Sequence, residues 1–178
     1  MTTVKNSYPE KQCVAFVSLP IEQNKVVDVL KLSTCSLAVR ISAFVIMRNE
    51  TGNFHSIINT TNPSGTQADS GRWASIWDKS IFATCIKNEN MTGKARRFIV
   101  FNSLATGIAF LIDRIEHKGL FIGEQVDSNY YKGDVKTVED LAMAYWDEWV
   151  IGEVNAKPSP NFTSDFISMY KQAALIFS

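Results

Sequence analysis

The sequence predicts a mainly helical single domain with a small extended lobe. Its 178 residues fit one domain on length alone, and a chain of this size can bury a substantial core. Several stretches place apolar residues at the three- and four-residue spacing of amphipathic helices. Between them, residues 52–71 are rich in Asn, Thr, Ser and Gly and contain Pro63, so they predict a long loop. We divide the chain into an N-terminal extension, residues 1–20, and a helical domain, residues 21–178.

The first helices follow from these spacings. A helix from Glu22 to about Leu32 has an apolar face that includes Val26 and Leu30. The next helix is capped by Ser36 and is apolar nearly all round, which predicts a buried central helix. After the long loop, residues 75–86 resume helical spacing.

The remaining elements are shorter or more clearly amphipathic. In chain order they are a strand-like segment at 98–101, a helix from Ser103 to about His117, a linker at 119–133, a helix from Thr137 to about Ile151, and a helix from Ser164 to about Phe177. Ser103, Thr137 and Ser164 are the expected N-caps of these three helices.

Composition excludes several classes of function. Lys plus Arg equals Asp plus Glu, at 18 each, so the net charge is zero and general nucleic-acid binding is not expected. The three cysteines are far apart and form no zinc-binding spacing, and no Gly-rich phosphate loop is present. The N-terminus lacks an apolar signal core, and no stretch approaches transmembrane length. We expect no metal, no cofactor, no membrane insertion and synthesis in the cytoplasm.

Glu50 stands where the central helix ends and the polar loop begins. An apolar wall disfavours the charged form of a carboxyl group, while the open side of the loop admits substrate, so we expect a raised pKa there. Glycoside cleavage needs such a group as its general acid, together with a second carboxylate or a held water molecule. Asp69 is the next carboxylate along the chain, and Asp78 follows it.

The loop after Glu50 has a composition that suits carbohydrate. Asn62 and Gln67 offer amides to sugar hydroxyls, and Trp73 offers an aromatic face to a pyranose ring. Tyr145 is a further candidate for binding substrate. Each residue also has a simpler interpretation: Glu50 as a solvated charge at a helix end, and both aromatic side chains as parts of the core.

Three short motifs resemble the lysozyme-like peptidoglycan hydrolases, a superfamily that includes lytic transglycosylases and endo-N-acetylglucosaminidases. Residues 48–52 (RNETG) resemble its helix-terminal Glu-Ser-Gly, with Thr51 in place of Ser. Residues 62–67 (NPSGTQ) resemble the Asn-x-x-Gly-x-Gln loop that follows. Residues 97–104 are similar to a segment with Phe-x-x-Phe-Asp-Ser, in which Asn102 replaces Asp. The resemblance spans about residues 36–175.

The resemblance implies a lysozyme-like single domain with a small β lobe and a long loop over a groove. Glu50 would be the catalytic acid, and Asp69, or else Asp78, would stabilise the cation or position water. The N-acetyl group of the substrate is the alternative to a second carboxylate. The expected partner is the peptidoglycan glycan strand, with Asn62, Gln67 and Trp73 binding sugar.

Because no signal sequence is present, the resemblance implies a phage endolysin, a virion component or an effector exported to the cell wall by a dedicated machine. The alternative function is a catalytically inactive, lysozyme-like structural or wall-binding component of a phage particle or export machine.

Overall fold

The computed structural model describes residues 11–68, 74–88 and 92–178. The chain divides into two compact units, and each is assembled from two separate stretches. Unit 1 consists of Met1–Val26 and Glu50–Phe110, and unit 2 consists of Val27–Asn49 and Leu111–Ser178. The predicted division at residue 20 stays a prediction.

Five α-helices and seven strands carry most of the regular structure in the described residues. The helices are α1 (Gln23–Leu32), α2 (Leu37–Thr51), α3 (Leu104–Lys118), α4 (Val138–Tyr145) and α5 (Pro160–Phe177). The strands are β1 (Cys13–Val14), β2 (Ser18–Leu19), β3 (Ile57–Ile58), β4 (Ile81–Asn88), β5 (Ala95–Phe101), β6 (Glu124–Asp127) and β7 (Lys132–Val135). A 3-10 helix (Ser75–Ser80) precedes β4, and a π-helix (Trp146–Ile151) continues α4.

The predicted mainly helical, lysozyme-like fold class is wrong. Of the described residues, 49% are helical and 19% are in strands, which form three small sheets, so the fold is mixed α/β. Residues 75–86, predicted as helix, instead form the 3-10 helix and most of β4. The side chains that suggested a helical face, Ile76, Phe82 and Ile86, are 81%, 55% and 40% exposed. Their spacing was coincidental, and the β-branched and aromatic residues of the segment favour a strand.

Unit 1 is organised around an antiparallel hairpin of β4 and β5. Strand β1 adds to the hairpin in parallel with β4, while β2 and β3 form a separate antiparallel pair. Two apolar clusters cover the hairpin. One contains Ala68, Ile81, Ile99, Phe101 and Phe110 with Trp77 packed against them. The other contains Ile58, Ala83, Cys85 and Val100 with Val14, Phe16 and Phe98 beside them.

Unit 2 combines helices with the antiparallel hairpin of β6 and β7. Phe44 and Phe177 meet edge to face at 5.5 Å between ring centroids. The ring of Tyr145 lies among Trp149, Phe162 and Phe166, at centroid distances of 6.5, 6.2 and 5.7 Å. No helix in the described residues has the length and apolar character that a membrane span requires.

Three predicted helix caps are confirmed, and one is wrong. The hydroxyl groups of Ser36, Ser103 and Thr137 accept backbone N–H groups at the starts of α2, α3 and α4. Helix α5, in contrast, is capped by Ser159 instead of Ser164. Pro160 occupies the first turn of α5, where its missing N–H costs nothing, so the helix begins at this proline.

Asp147, in the π-helix, is fully buried in unit 2. Neither of its carboxylate oxygens meets hydrogen-bond geometry within the described residues. Burial raises the pKa of Asp147; the nearby Asn155 amide N–H opposes this rise, and the charge of Glu148 adds to it. A carboxyl group whose folded pKa is raised contributes stability below its ordinary pKa, and this contribution is lost as the pH rises through the folded value.

We expect Asp147→Asn to flatten the pH dependence of stability. As the pH rises above 3.8, the ordinary pKa, wild type should lose stability relative to the variant, because only wild type must ionise a buried carboxyl group. Urea unfolding at several pH values measures this loss. Asp165→Asn removes an exposed carboxylate from α5 and serves as the control. Parallel curves for wild type and Asp147→Asn would contradict the prediction.

Candidate functional site

Glu50 lies in the last turn of α2 and is half-buried. The next residue, Thr51, is buried, and its hydroxyl accepts the backbone N–H of Phe54 at 2.9 Å. Gly52, Asn53 and Phe54 all have positive φ angles, of 55°, 58° and 67°. The Thr51 hydroxyl, a group that serine would also supply, therefore closes a tight left-handed turn directly after Glu50.

Asn62 holds the loop that follows against β5. Its side-chain oxygen accepts the Thr66 N–H at 2.9 Å, and its amide nitrogen donates to the carbonyl oxygens of Thr66 and Ile99, both at 2.9 Å. The residue is fully buried. Two further backbone bonds join the loop to β5, Ile99 N–H to the Thr66 oxygen at 3.1 Å and Ala68 N–H to the Arg97 oxygen at 2.8 Å. The loop is thus fixed as an added edge of the hairpin.

The fixed loop presents Gly65 to the carboxylate of Glu50. A Cβ atom placed on Gly65 would lie 3.7 Å from Glu50 Oε2, and Gly65 has a φ of 59°, which side-chain-bearing residues rarely adopt. The two predicted motifs, at 48–52 and 62–67, are therefore close in space. A side chain at position 65 would approach this carboxylate, and glycine has none.

The other predicted site residues fall in different places. Gln67 is exposed and forms an isolated bridge with Phe98 of β5. Asp69 and Trp73 lie outside the described residues. Asp78, the alternative second carboxylate, is half-buried in the 3-10 helix of unit 1. Tyr145 belongs to the aromatic cluster of unit 2 and is 2% exposed, which matches its alternative interpretation as a core residue.

The places of Asn62 and Gln67 in the fold affect their predicted roles in binding sugar. The prediction that Asn62 binds sugar stays a prediction, but its amide already makes three hydrogen bonds inside the protein. In this structure Asn62 positions the loop, and Gln67 is the exposed amide beside it.

Unit 1 also contains a groove of about 870 Å³ beyond the turn at Gly52. It is lined by Pro20, Ile21, Glu22, Gln23, Lys25, Asn53, Phe54, His55, Thr60, Thr61, Ser103 and Leu104. Most of these side chains carry hydrogen-bonding groups, and the exposed ones include Gln23, Asn53, His55 and Thr60. The groove therefore offers donors and acceptors of the kind that sugar hydroxyls use.

Sequence reasoning missed this groove. Its walls come from the N-terminal stretch, the loop after α2 and the start of α3, which no sequence pattern joins. The available signal was the Asn-rich composition of residues 53–62, because asparagine tolerates left-handed backbone better than most residues. Phe54 and Thr60 also adopt positive φ angles, of 67° and 59°. Neither residue type indicates a left-handed backbone in a sequence.

Other chemistries have less support in the described residues. They contain no group of three or more His, Cys, Asp or Glu side chains that could hold a metal ion. Burial raises the pKa of the Cys85 thiol to about 11, and the neighbouring Cys13 adds to the rise. Because the thiolate is the reactive form, Cys85 is unreactive near neutral pH.

No protein-family model, curated protein sequence or solved structure matches this chain. The resemblance to lysozyme-like hydrolases therefore rests on the short motifs alone.

Asn62→Ala should destabilise the protein by about 2–4 kcal/mol. The change removes three hydrogen bonds, leaves the Thr66 N–H without its partner and opens a small cavity. Chemical denaturation measures the loss. Asn102→Ala removes an exposed amide that makes one bond, to the Lys79 oxygen, and should cost no more than about 1 kcal/mol. Equal losses in the two variants would refute the positioning role of Asn62.

Proposed function

We propose that this protein cleaves the glycan strand of peptidoglycan, with Glu50 as the general acid. The observation that carries the proposal is the approach of the Glu50 carboxylate to Gly65 in a loop fixed by Asn62. The mixed α/β architecture means that the proposal stands on this site, not on a lysozyme-like fold.

The local structure suits an acid catalyst. Glu50 is half-buried, so its carboxyl group is partly shielded from water while one side stays accessible. It lies in the last turn of α2, where the final carbonyl oxygens of a helix lack partners within the helix and disfavour a nearby negative charge. In the proposed reaction the protonated carboxyl of Glu50 donates its proton to the leaving oxygen of a glycosidic bond.

The groove supports the choice of a carbohydrate substrate. It begins at Asn53, three residues after Glu50, and its polar lining can bind the hydroxyl and acetamido groups of successive sugars. Its volume of about 870 Å³ lies within the range typical of ligand pockets. In this proposal the groove binds the strand, and Glu50 acts on a linkage next to it.

Digestion of purified peptidoglycan by wild type and by Glu50→Gln tests the proposal, with the products identified by mass spectrometry. Wild type should release fragments with new reducing ends or anhydro-sugars. Glu50→Gln keeps the shape of the side chain but has no acidic proton to transfer, and we expect a rate at least about 10²-fold lower. Its unfolding midpoint should match that of wild type.

Gln23→Ala, on the groove lining, is the matched control. It should raise KM and leave kcat close to the wild-type value, since it touches binding and not proton transfer. Equal activity of wild type and Glu50→Gln would refute the role of Glu50. The absence of products from folded wild type on walls of both Gram types would refute the enzyme and favour a wall-binding component.

A further inference from the structure

The π-helix of unit 2, Trp146–Ile151, holds two adjacent carboxyl groups in opposite ways. Asp147 is fully buried, and neither of its carboxylate oxygens meets hydrogen-bond geometry within the described residues. The buried side chain of Glu148, in contrast, pairs with the Lys118 ammonium and accepts the Tyr130 N–H. A buried carboxylate needs donors or a cation to replace its lost hydration. The closed fold therefore supports an ionised Glu148 and disfavours an ionised Asp147.

Nearby acidic groups add to this difference. The charge of Glu148 disfavours ionisation of Asp147, while the Asn155 N–H favours it. Burial raises the pKa of the Tyr131 phenol, and three carboxylates add to the rise: Asp140, Asp147 and Asp134. Helix α4 and the β6–β7 hairpin therefore bring further negative charge to the surroundings of Asp147.

Helix α3 brings two cations to the π-helix, and both have other contacts. Lys118 pairs with Glu148, and the Arg114 guanidinium lies over the Trp149 ring, 5.0 Å from its centroid. Ionisation of Asp147 would therefore add a buried negative charge without a hydrogen-bonded counter-charge in the described residues.

The backbone around Asp147 is suited to local opening. The Gly152 N–H donates to the Asp147 carbonyl oxygen at 2.9 Å, with the five-residue spacing of a π-helix, a rare turn that is frequent at functional sites. The side chains of Val150, Ile151 and Val154 are exposed, so this part of the segment contributes little to the core. Segments with few buried apolar contacts open at a lower free energy than the rest of a fold.

We infer that residues 146–155 form a pH-sensitive segment of unit 2, which is held closed by the protonated Asp147 carboxyl group and released by its ionisation. Opening hydrates the new carboxylate, which the closed form leaves buried beside Glu148. The pKa of Glu148 lies below its ordinary value of 4.5, and that of Tyr131 lies above its ordinary value of 10.0, so neither group changes its charge between these values. The inference concerns unit 2 and does not depend on the proposed function.

Amide hydrogen exchange, resolved by residue with NMR between about pH 4 and about pH 9, tests the inference. Protection is expressed relative to the intrinsic exchange rate at each pH. In wild type, residues 146–155 should lose protection as the pH rises above 3.8, the ordinary pKa of Asp147, by at most about tenfold per pH unit because one proton is released.

Low concentrations of urea separate local opening from global unfolding. Residues 146–155 should exchange faster than the buried residues 41–47 of α2, and their exchange should change little with urea because local opening exposes little surface. Residues 41–47 should exchange faster as urea is added. Equal protection and equal urea dependence of the two stretches would show global unfolding and overturn the inference, as would wild-type protection of 146–155 that does not change with pH. Both results come from wild type alone.

Three variants assign the proton. Asp147→Asn is neutral at every pH, so its residues 146–155 should keep their protection across the range. Asp165→Asn removes an exposed carboxylate of α5, and His117→Gln removes an exposed imidazole of α3, the kind of group that titrates near neutral pH. Both should keep the wild-type pH dependence. A folded Asp147→Asn variant with the wild-type profile, or loss of the profile in His117→Gln, would overturn the inference.

Discussion

Lys118→Met should destabilise the protein by about 3–5 kcal/mol, because it leaves a buried carboxylate without its counter-charge. The ammonium of Lys118 forms a short ion pair with Glu148 Oε2, and the Glu148 side chain has no exposed surface. The Tyr130 N–H donates to the other oxygen at 3.3 Å. These two interactions join α3, the β6–β7 hairpin and the π-helix within unit 2, so their loss should appear in urea unfolding.

In Lys118→Met, the contribution of Glu148 to stability should change with pH in the opposite direction from wild type. Burial alone would raise the pKa of Glu148, but hydrogen bonds from Lys118, Ser128 and the Tyr130 N–H, with the charge of Lys118, hold it below its ordinary value of 4.5. Wild type therefore keeps this stabilisation above pH 4.5 and loses it as the pH falls through the folded pKa. Without Lys118, burial dominates, the pKa rises, and stability should fall as the pH increases.

Lys118→Met/Glu148→Met is the matched control, since it removes both charges and keeps most of the volume. It should recover a large part of the stability lost in Lys118→Met. A double variant as unstable as the single one would show that lost packing, and not an unpaired charge, explains the result.

Gly107→Ala should cost about 3 kcal/mol or more, because no space exists for a methyl group at this position. The added Cβ would lie 2.0 Å from the Thr61 carbonyl oxygen and 3.0 and 3.1 Å from Pro63 Cδ and the Phe101 ring. The nearest atom belongs to the backbone, so relief requires a shift of α3 or of residues 61–63. Thermal and urea unfolding should both show the loss.

The same shift should reach the candidate site. Residues 61–63 lead directly into the turn that presents Gly65 to Glu50, so the proposed cleavage of peptidoglycan should fall by more than the folded fraction alone explains. Gly133→Ala is the matched control: the three atoms nearest its Cβ would belong to the Tyr131 side chain, at 3.7 Å or more, and its stability should change by less than about 1 kcal/mol. A Gly107→Ala variant as stable as wild type would contradict the close packing of this helix.

The helices were more predictable from the sequence than the sheets. Ser103 and Thr137 have capping side chains directly before strongly periodic stretches, and both signals are local. Strand β4 is stabilised by pairing with β5 and β1, and no local sequence pattern indicates this pairing. In addition, Phe82 and Ile86 of β4 are four residues apart, a spacing that is also typical of one face of a helix. The 119–133 segment, predicted as a linker, contains β6 and the first half of β7, strands that are only four residues each and rich in charge.

For the candidate site, the resemblance implied roles for both motifs in one groove, but the sequence did not indicate the structural role of Asn62. The motif around Glu50 and the loop from Asn62 to Gln67 do come together at Gly65. The burial of Asn62 depends on Ile99, 37 residues further along the chain, so its structural role was not visible beforehand. The groove depends on positive φ angles at Phe54 and Thr60, which only a folded backbone reveals.

The interleaving of the two units along the chain has a consequence for synthesis. A ribosome delivers residues in order, so the last residues of unit 1, ending at Phe110, emerge before the second half of unit 2 exists. During that interval the stretch Val27–Asn49, with most of the apolar helix α2, lacks the later residues that complete its unit. Exposed apolar segments in partly made chains bind chaperones or aggregate. Slowing translation beyond codon 110 should therefore lower the soluble yield more than slowing it before codon 27.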